Sequence, residues 1–117
     1  MYNMSRRGIT LYLKDIQGSI RKIERYTRNT NFKKFSHDDQ LIDAVVRNLS
    51  IIGEAVRNIP KDIKIKNPEV AWSEINGIRN KVIHEYFGVD EEILWKTIQD
   101  DLPVFKRQIV KLLKSVR

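Results

Sequence analysis

Through almost the whole chain, apolar residues recur every three or four positions. That spacing gathers them on one face of an α-helix, whereas a strand needs a period of two. Over residues 9–26 the stripe is Ile9, Tyr12, Leu13, Ile16, Ile20, Ile23 and Tyr26, which predicts a first long helix. A second stripe, Leu41, Val45, Leu49, Ile52 and Val56, starts after Ser36 as N-cap and runs until Ile59 meets Pro60. Residues 61–67 form a short basic linker. Asn67 followed by Pro68 predicts the start of a third helix with the stripe Ala71, Ile75, Ile78, Val82 and Tyr86, stopped by Gly88. Asp90 caps a fourth helix holding Ile93, Leu94, Trp95 and Ile98, and Pro103 breaks or restarts it before residues 104–116. No run alternates like a strand. The expected fold is therefore all-α, an antiparallel helical bundle of four to five helices, and a length of 117 residues makes it a single domain over residues 1–117. Trp72 and Trp95 fall near the apolar stripes and are expected to pack in the core.

Composition removes several kinds of chemistry. With no cysteine, disulfides, thiolate metal sites and thiol nucleophiles are excluded. His37 and His84 are the only histidines, and no Glu-x-x-His pairs supply the inward ligands of a di-metal bundle, so neither a metal nor a cofactor is expected. No apolar run suits a signal peptide or a membrane span, and the expected location is the cytoplasm. The net charge of +7 gives a field that attracts phosphate.

The densest set of chemically capable side chains is Gly77-Ile78-Arg79-Asn80-Lys81-Val82-Ile83-His84-Glu85-Tyr86-Phe87. If the third helix runs through it, Ile75, Ile78, Val82 and Tyr86 cluster within about 80° and face the bundle. Arg79 then borders that face, and His84 lies about 140° from Arg79, pointing outward. Ile83 and Phe87 project on the same outward side, which suggests a surface covered by a partner. The simplest closed arrangement is a two-fold homodimer that brings two copies of Arg79, Asn80 and His84 into one basic cleft.

This segment resembles the Arg-x4-His-x-Tyr motif of HepT-like proteins in the HEPN superfamily. Trp72, Asn80, Glu85, Phe87, Asp90 and Trp95 look like the same family, as do residues 46–55 upstream and Asp101-Leu102-Pro103 downstream. Ser50 departs from it, standing where an acidic residue is common. The resemblance implies an HEPN-like bundle and a metal-independent endoribonuclease toxin with a composite site at its dimer interface. It also implies a nucleotidyltransferase antitoxin that attaches AMP to the motif tyrosine, here Tyr86.

The residues suit such a reaction. A histidine can take the proton of a ribose 2′-hydroxyl or protonate the leaving 5′-oxygen near neutral pH, which is the role of His84. The guanidinium of Arg79 offers paired, permanently charged donors to the phosphorane. Asn80 can hold a phosphate oxygen, orient the histidine, or simply pack. Attack by the 2′-hydroxyl would leave a 2′,3′-cyclic phosphate and spare DNA. Tyr86 either packs beside Val82 or, as the resemblance implies, carries AMP, whose charge would fill the phosphate site. On the second helix Arg47, Ile51, Glu54 and Asn58 form a polar stripe that is ordinarily solvated. From it Glu54 can steady Arg79 across the bundle and Arg47 can add a phosphate contact. His37 reads as exposed. Lys106, Arg107, Lys111, Lys114 and Arg117 form the polar face of a last helix, with a share in an RNA track also open. The alternative to the nuclease is a non-catalytic HEPN-like module that binds nucleotide or pairs with a nucleotidyltransferase. A helix-turn-helix DNA reader lacks a short unit with a polar recognition helix.

Overall fold

A computed structural model gives the architecture. It describes residues 5–84 and 88–116, with the backbone alone at Ile83 and His84. The fold is all-α. α1 (Arg6–Thr27) and α3 (Asp39–Asn58) are the two long helices, and α2 (Phe32–Phe35) is a single turn between them. Then come α4 (Lys61–Lys66), α5 (Trp72–Asn76) and α6 (Ile78–Val82), a minimal pair of strands β1 (Ile83–His84) and β2 (Gly88–Val89), and α7 (Glu91–Lys96). A π-helical turn over Thr97–Asp101 leads into α8 (Leu102–Ser115).

The core follows the stripes. Ile9, Leu13, Ile16, Ile20 and Ile23 of α1 are buried against Val45, Leu49, Ile52 and Val56 of α3 and Phe105, Ile109 and Leu112 of α8. Each side chain removed from water contributes about 1.5–3 kcal/mol, which is what ties these amphipathic helices together. Tyr12 is half-buried, and Tyr26, where the α1 stripe ends, is exposed. Both tryptophans pack as expected. Trp72 meets Phe105 edge-on at 6.4 Å and donates its indole N–H to the Asn67 carbonyl. Trp95 lies 5.1 Å from the fully buried Phe35.

Several boundaries differ from the sequence expectation. Ser36 does not cap α3: it ends α2, and its hydroxyl donates to the Lys33 carbonyl. Asp38 is the cap, its carboxylate accepting from the Leu41 N–H at 3.0 Å, because it stands three residues ahead of that donor. The expected linker is helical as α4. Asn67 ends this helix instead of starting the next one, its side-chain amide donating to the Ile63 carbonyl. Asp90 does cap α7, through the Ile93 N–H at 3.1 Å.

Pro103 sits in the first turn of α8, directly after the π-helical turn. Proline donates no N–H and its ring crowds the carbonyl four residues back, so the widened turn lets the helical path continue where an α-helix would clash.

The largest difference concerns the third helix. α5 ends at Gly77, whose N–H bonds to the Ser73 and Ile75 carbonyls, and α6 lasts only to Val82. The chain then turns extended: Ile83 pairs with Val89 and His84 with Gly88 in antiparallel register. Gly88 has φ +77, a conformation open to glycine, and here it serves the return of a hairpin, not the end of a helix.

Candidate functional site

The site is built where α6 gives way to β1. Ile78 and Val82 of α6 are buried while Arg79, Asn80 and Lys81 between them are exposed, so the helix holds the three polar side chains outward by anchoring its apolar ones. Among the described residues Arg79 and Asn80 make no side-chain hydrogen bond or ion pair, which leaves their donors open to a ligand. The His84 backbone follows on β1, fixed by its pairing with Gly88 and by a 2.6 Å bond from the Asp90 N–H to the Val82 carbonyl. His84 therefore does not occupy a helical position, and the 140° phase expected between it and Arg79 does not apply. The helix ends at Val82 and the strand starts at Ile83, adjoining β-branched residues that favour extended backbone. Tyr86, with Glu85 and Phe87, lies outside the described residues.

α3 packs beside this segment. Gly53 is buried there, and a β-carbon on it would stand 3.4 Å from the Asn76 carbonyl oxygen, so the two elements approach closely just before α6 begins. The sequence singles this residue out only as part of the family-like residues 46–55, although a glycine inside an otherwise helical pattern is a usual signal of a close approach. Arg47 and Glu54 are both exposed on α3. Glu54 does not hold Arg79: its carboxylate pairs at 3.3 Å with Arg57 one turn on, and both side chains are well solvated. Intrahelical spacing brings Glu54 and Arg57 together at no cost in tertiary geometry. His37 is exposed, as expected, with Nδ1 2.8 Å from the Lys33 carbonyl oxygen. Among the described residues no three His, Asp or Glu side chains converge on a common point, and no helix is long and apolar enough to cross a membrane.

An exposed arginine and amide beside a histidine on one short, pinned segment correspond to the motif of a known group of proteins, and comparison with that group decides the family. A sequence model described as "Ribonuclease HepT-like" matches residues 16–112. The chain belongs to the HepT-like family. It is 48% identical over 103 residues to "Probable ribonuclease HepT" of Thermococcus cleftensis, covering 88% of this chain and 94% of that protein. It is also 39% identical over 113 residues to "Putative RNase MJ1216" of Methanocaldococcus jannaschii, covering 97% and 93% of the two chains. No solved structure matches it. In this HepT-like chain the motif is split across two kinds of backbone: Arg79 and Asn80 belong to a helical turn, His84 to a paired strand.

Proposed function

We propose that this HepT-like chain is a metal-independent endoribonuclease, the toxin of a toxin-antitoxin pair, acting through a site composed of two copies of the motif across a homodimer. The main support is the combination of family membership over residues 16–112 with Arg79, His84 and Tyr86 at the motif spacing and Arg79 and Asn80 held outward with free donors.

In this reading the substrate phosphate sits against Arg79, whose guanidinium meets two of its oxygens, and Asn80 adds an amide donor. The ribose 2′-oxygen attacks phosphorus and gives up its proton to one His84. The bond from phosphorus to the 5′-oxygen breaks, and that oxygen takes a proton from the second His84. The products are a 2′,3′-cyclic phosphate and a 5′-hydroxyl. Arg79 stabilises the additional negative charge of the phosphorane, and the proton transfers contribute on the order of 10²–10⁴-fold. A nucleotidyltransferase antitoxin silences the site: the Tyr86 oxygen attacks the α-phosphorus of ATP, its proton is lost to base or solvent, pyrophosphate leaves, and the attached AMP places an anion against Arg79 and repels RNA.

Product analysis tests the chemistry. A labelled RNA with a single 2′-deoxy position should be spared at that position and cut elsewhere, leaving cyclic phosphate ends detectable by mass. Cleavage of DNA, or cutting at the 2′-deoxy position, would exclude attack by the 2′-hydroxyl.

A further inference from the structure

α8 separates two grooves of opposite character. On the flank facing α5 and α6, a hollow of about 620 Å³ is edged by Glu69, Glu74 and Asp101 against a single cation, Lys81. On the flank facing α1, three hollows of about 460, 390 and 410 Å³ adjoin through shared walls, Val110 between the first two and Glu24, Pro103 and Lys106 between the last two. Together they make one furrow along the seam of α1 and α8. Its cations are Lys14, Arg21, Lys114, Arg107, Lys106 and Arg28. Among the described residues its only acid is Glu24, and Lys106 neutralises that carboxylate at 2.9 and 3.2 Å. The two helices run antiparallel here, since Glu24 near the end of α1 meets Lys106 near the start of α8 while Lys14 shares a hollow with Lys114. Lys14 to Arg21 and Arg107 to Lys114 each span two helical turns, about 10 Å, so cations line both rims over the same length. The far end of the furrow opens on the half-buried Trp95.

We infer that this furrow is a track for the phosphate backbone of single-stranded RNA outside the cleavage motif. A pair of like-charged rims with their one acid neutralised focuses a positive potential, and the acid-edged hollow on the opposite flank of α8 turns a polyanion away. The rims reach phosphates without reading bases, as expected of a surface that positions a strand. The inference shares with the proposed function only that this chain binds RNA, and its lining residues do not include Arg79, Asn80 or His84.

The test measures binding of a 2′-O-methyl RNA 20-mer, which cannot be cut, by fluorescence anisotropy from 50 to 300 mM KCl. The full-length wild type is compared with the triple variant Lys14→Gln, Arg21→Gln, Lys114→Gln and with a control triple, Arg57→Gln, Lys61→Gln, Lys66→Gln, whose residues lie off the furrow. Each phosphate no longer neutralised lowers the slope of log affinity against log salt by about 0.7 for single strands, so the furrow triple should lose about 2 units of slope and the control almost none. Equal losses in both triples would mean diffuse attraction and overturn the track. So would an unchanged slope in the furrow triple, or a furrow that binds anionic phospholipid vesicles and not the RNA. Dinucleotide cleavage separates this from the nuclease reading. A dinucleotide cannot reach the track, so the furrow triple should cut it at the wild-type rate. If no form cuts it while the slope still falls by about 2, the track stands and the nuclease reading fails.

Discussion

Replacing Gly53 by alanine and by valine isolates what the close approach of α3 to the start of α6 contributes. In a helix interior glycine is about 1 kcal/mol worse than alanine, and the alanine methyl at 3.4 Å from the Asn76 carbonyl oxygen touches without overlap. Gly53→Ala should therefore hold or raise stability by up to about 1 kcal/mol. Valine keeps only a few tenths of that propensity gain, and its two further methyls enter space already taken by the Asn76 and Ile75 carbonyls. Overpacking of this kind costs about 1–3 kcal/mol. At roughly 2.1 cal/mol/K per residue, a chain of 117 residues moves about 4 °C for each kcal/mol. Thermal unfolding followed by circular dichroism should show Gly53→Ala from 0 to about 4 °C above the wild type and Gly53→Val about 2–10 °C below it. Because the displaced carbonyls lead directly into Gly77 and Arg79, Gly53→Val should also lose RNA cleavage at 25 °C while still folded. A valine variant melting with the wild type would refute the close approach.

Other substitutions probe other parts of the fold. Gly18 is exposed within α1 and a β-carbon there meets nothing within 4 Å, so Gly18→Ala should stabilise by about 1 kcal/mol, read as a rise of about 4 °C in Tm. Asn48 is buried with its side-chain amide N–H bonded to the Ala44 carbonyl, but among the described residues its Oδ1 has no partner. Asn48→Leu should remove a desolvation cost of about 1–3 kcal/mol and raise the urea midpoint, and a lowered midpoint would show that the oxygen has a partner in solution. Burial holds the Lys64 ammonium below the usual lysine value. The unfolded chain then binds more protons between that lowered value and the ordinary one, so stability gains from this group as pH rises through the window. Lys64→Met should be stabilising at pH 7, and its advantage over the wild type should shrink on passing to strongly alkaline pH.

The long elements were legible in the sequence because their signal is redundant. Five isoleucines and leucines spaced three or four apart in α1 and five apolar positions in α3 leave one helical phase, and burial follows it, with Leu41 at the start of α3 half-buried. Local capping chemistry was more ambiguous. Ser36, Asp38 and Asn67 all belong to residue types that bond backbone at either end of a helix, and only the tertiary path decides which end each one serves. The motif segment misled for a different reason. The spacing of Ile75, Ile78 and Val82 is equally compatible with one helix and with two short ones joined at Gly77, and the backbone switch after Val82 depends on a strand partner, Gly88-Val89, that periodicity does not reveal. Helical phase puts Asn80 outward and Arg79 at the border of the core face, and both side chains are exposed. Glu54 pairs with Arg57 one turn away, a contact that intrahelical spacing alone supplies and that the stripe Arg47, Ile51, Glu54 and Asn58 leaves out. The furrow between α1 and α8 was invisible as such, since its rims come from segments more than 80 residues apart that only folding brings together.

Metal-free RNA cleavage by this motif is decided by incubating labelled RNA with the purified chain in EDTA. His84→Ala and Arg79→Ala are compared with the wild type at matched oligomeric state, with Tyr86 confirmed unmodified by intact mass. The wild type should cut without metal, and each variant should lose on the order of 10²-fold or more. A wild type that cuts nothing with Tyr86 free, or a His84→Ala variant that cuts at the wild-type rate, would contradict the assignment of the nuclease to this motif.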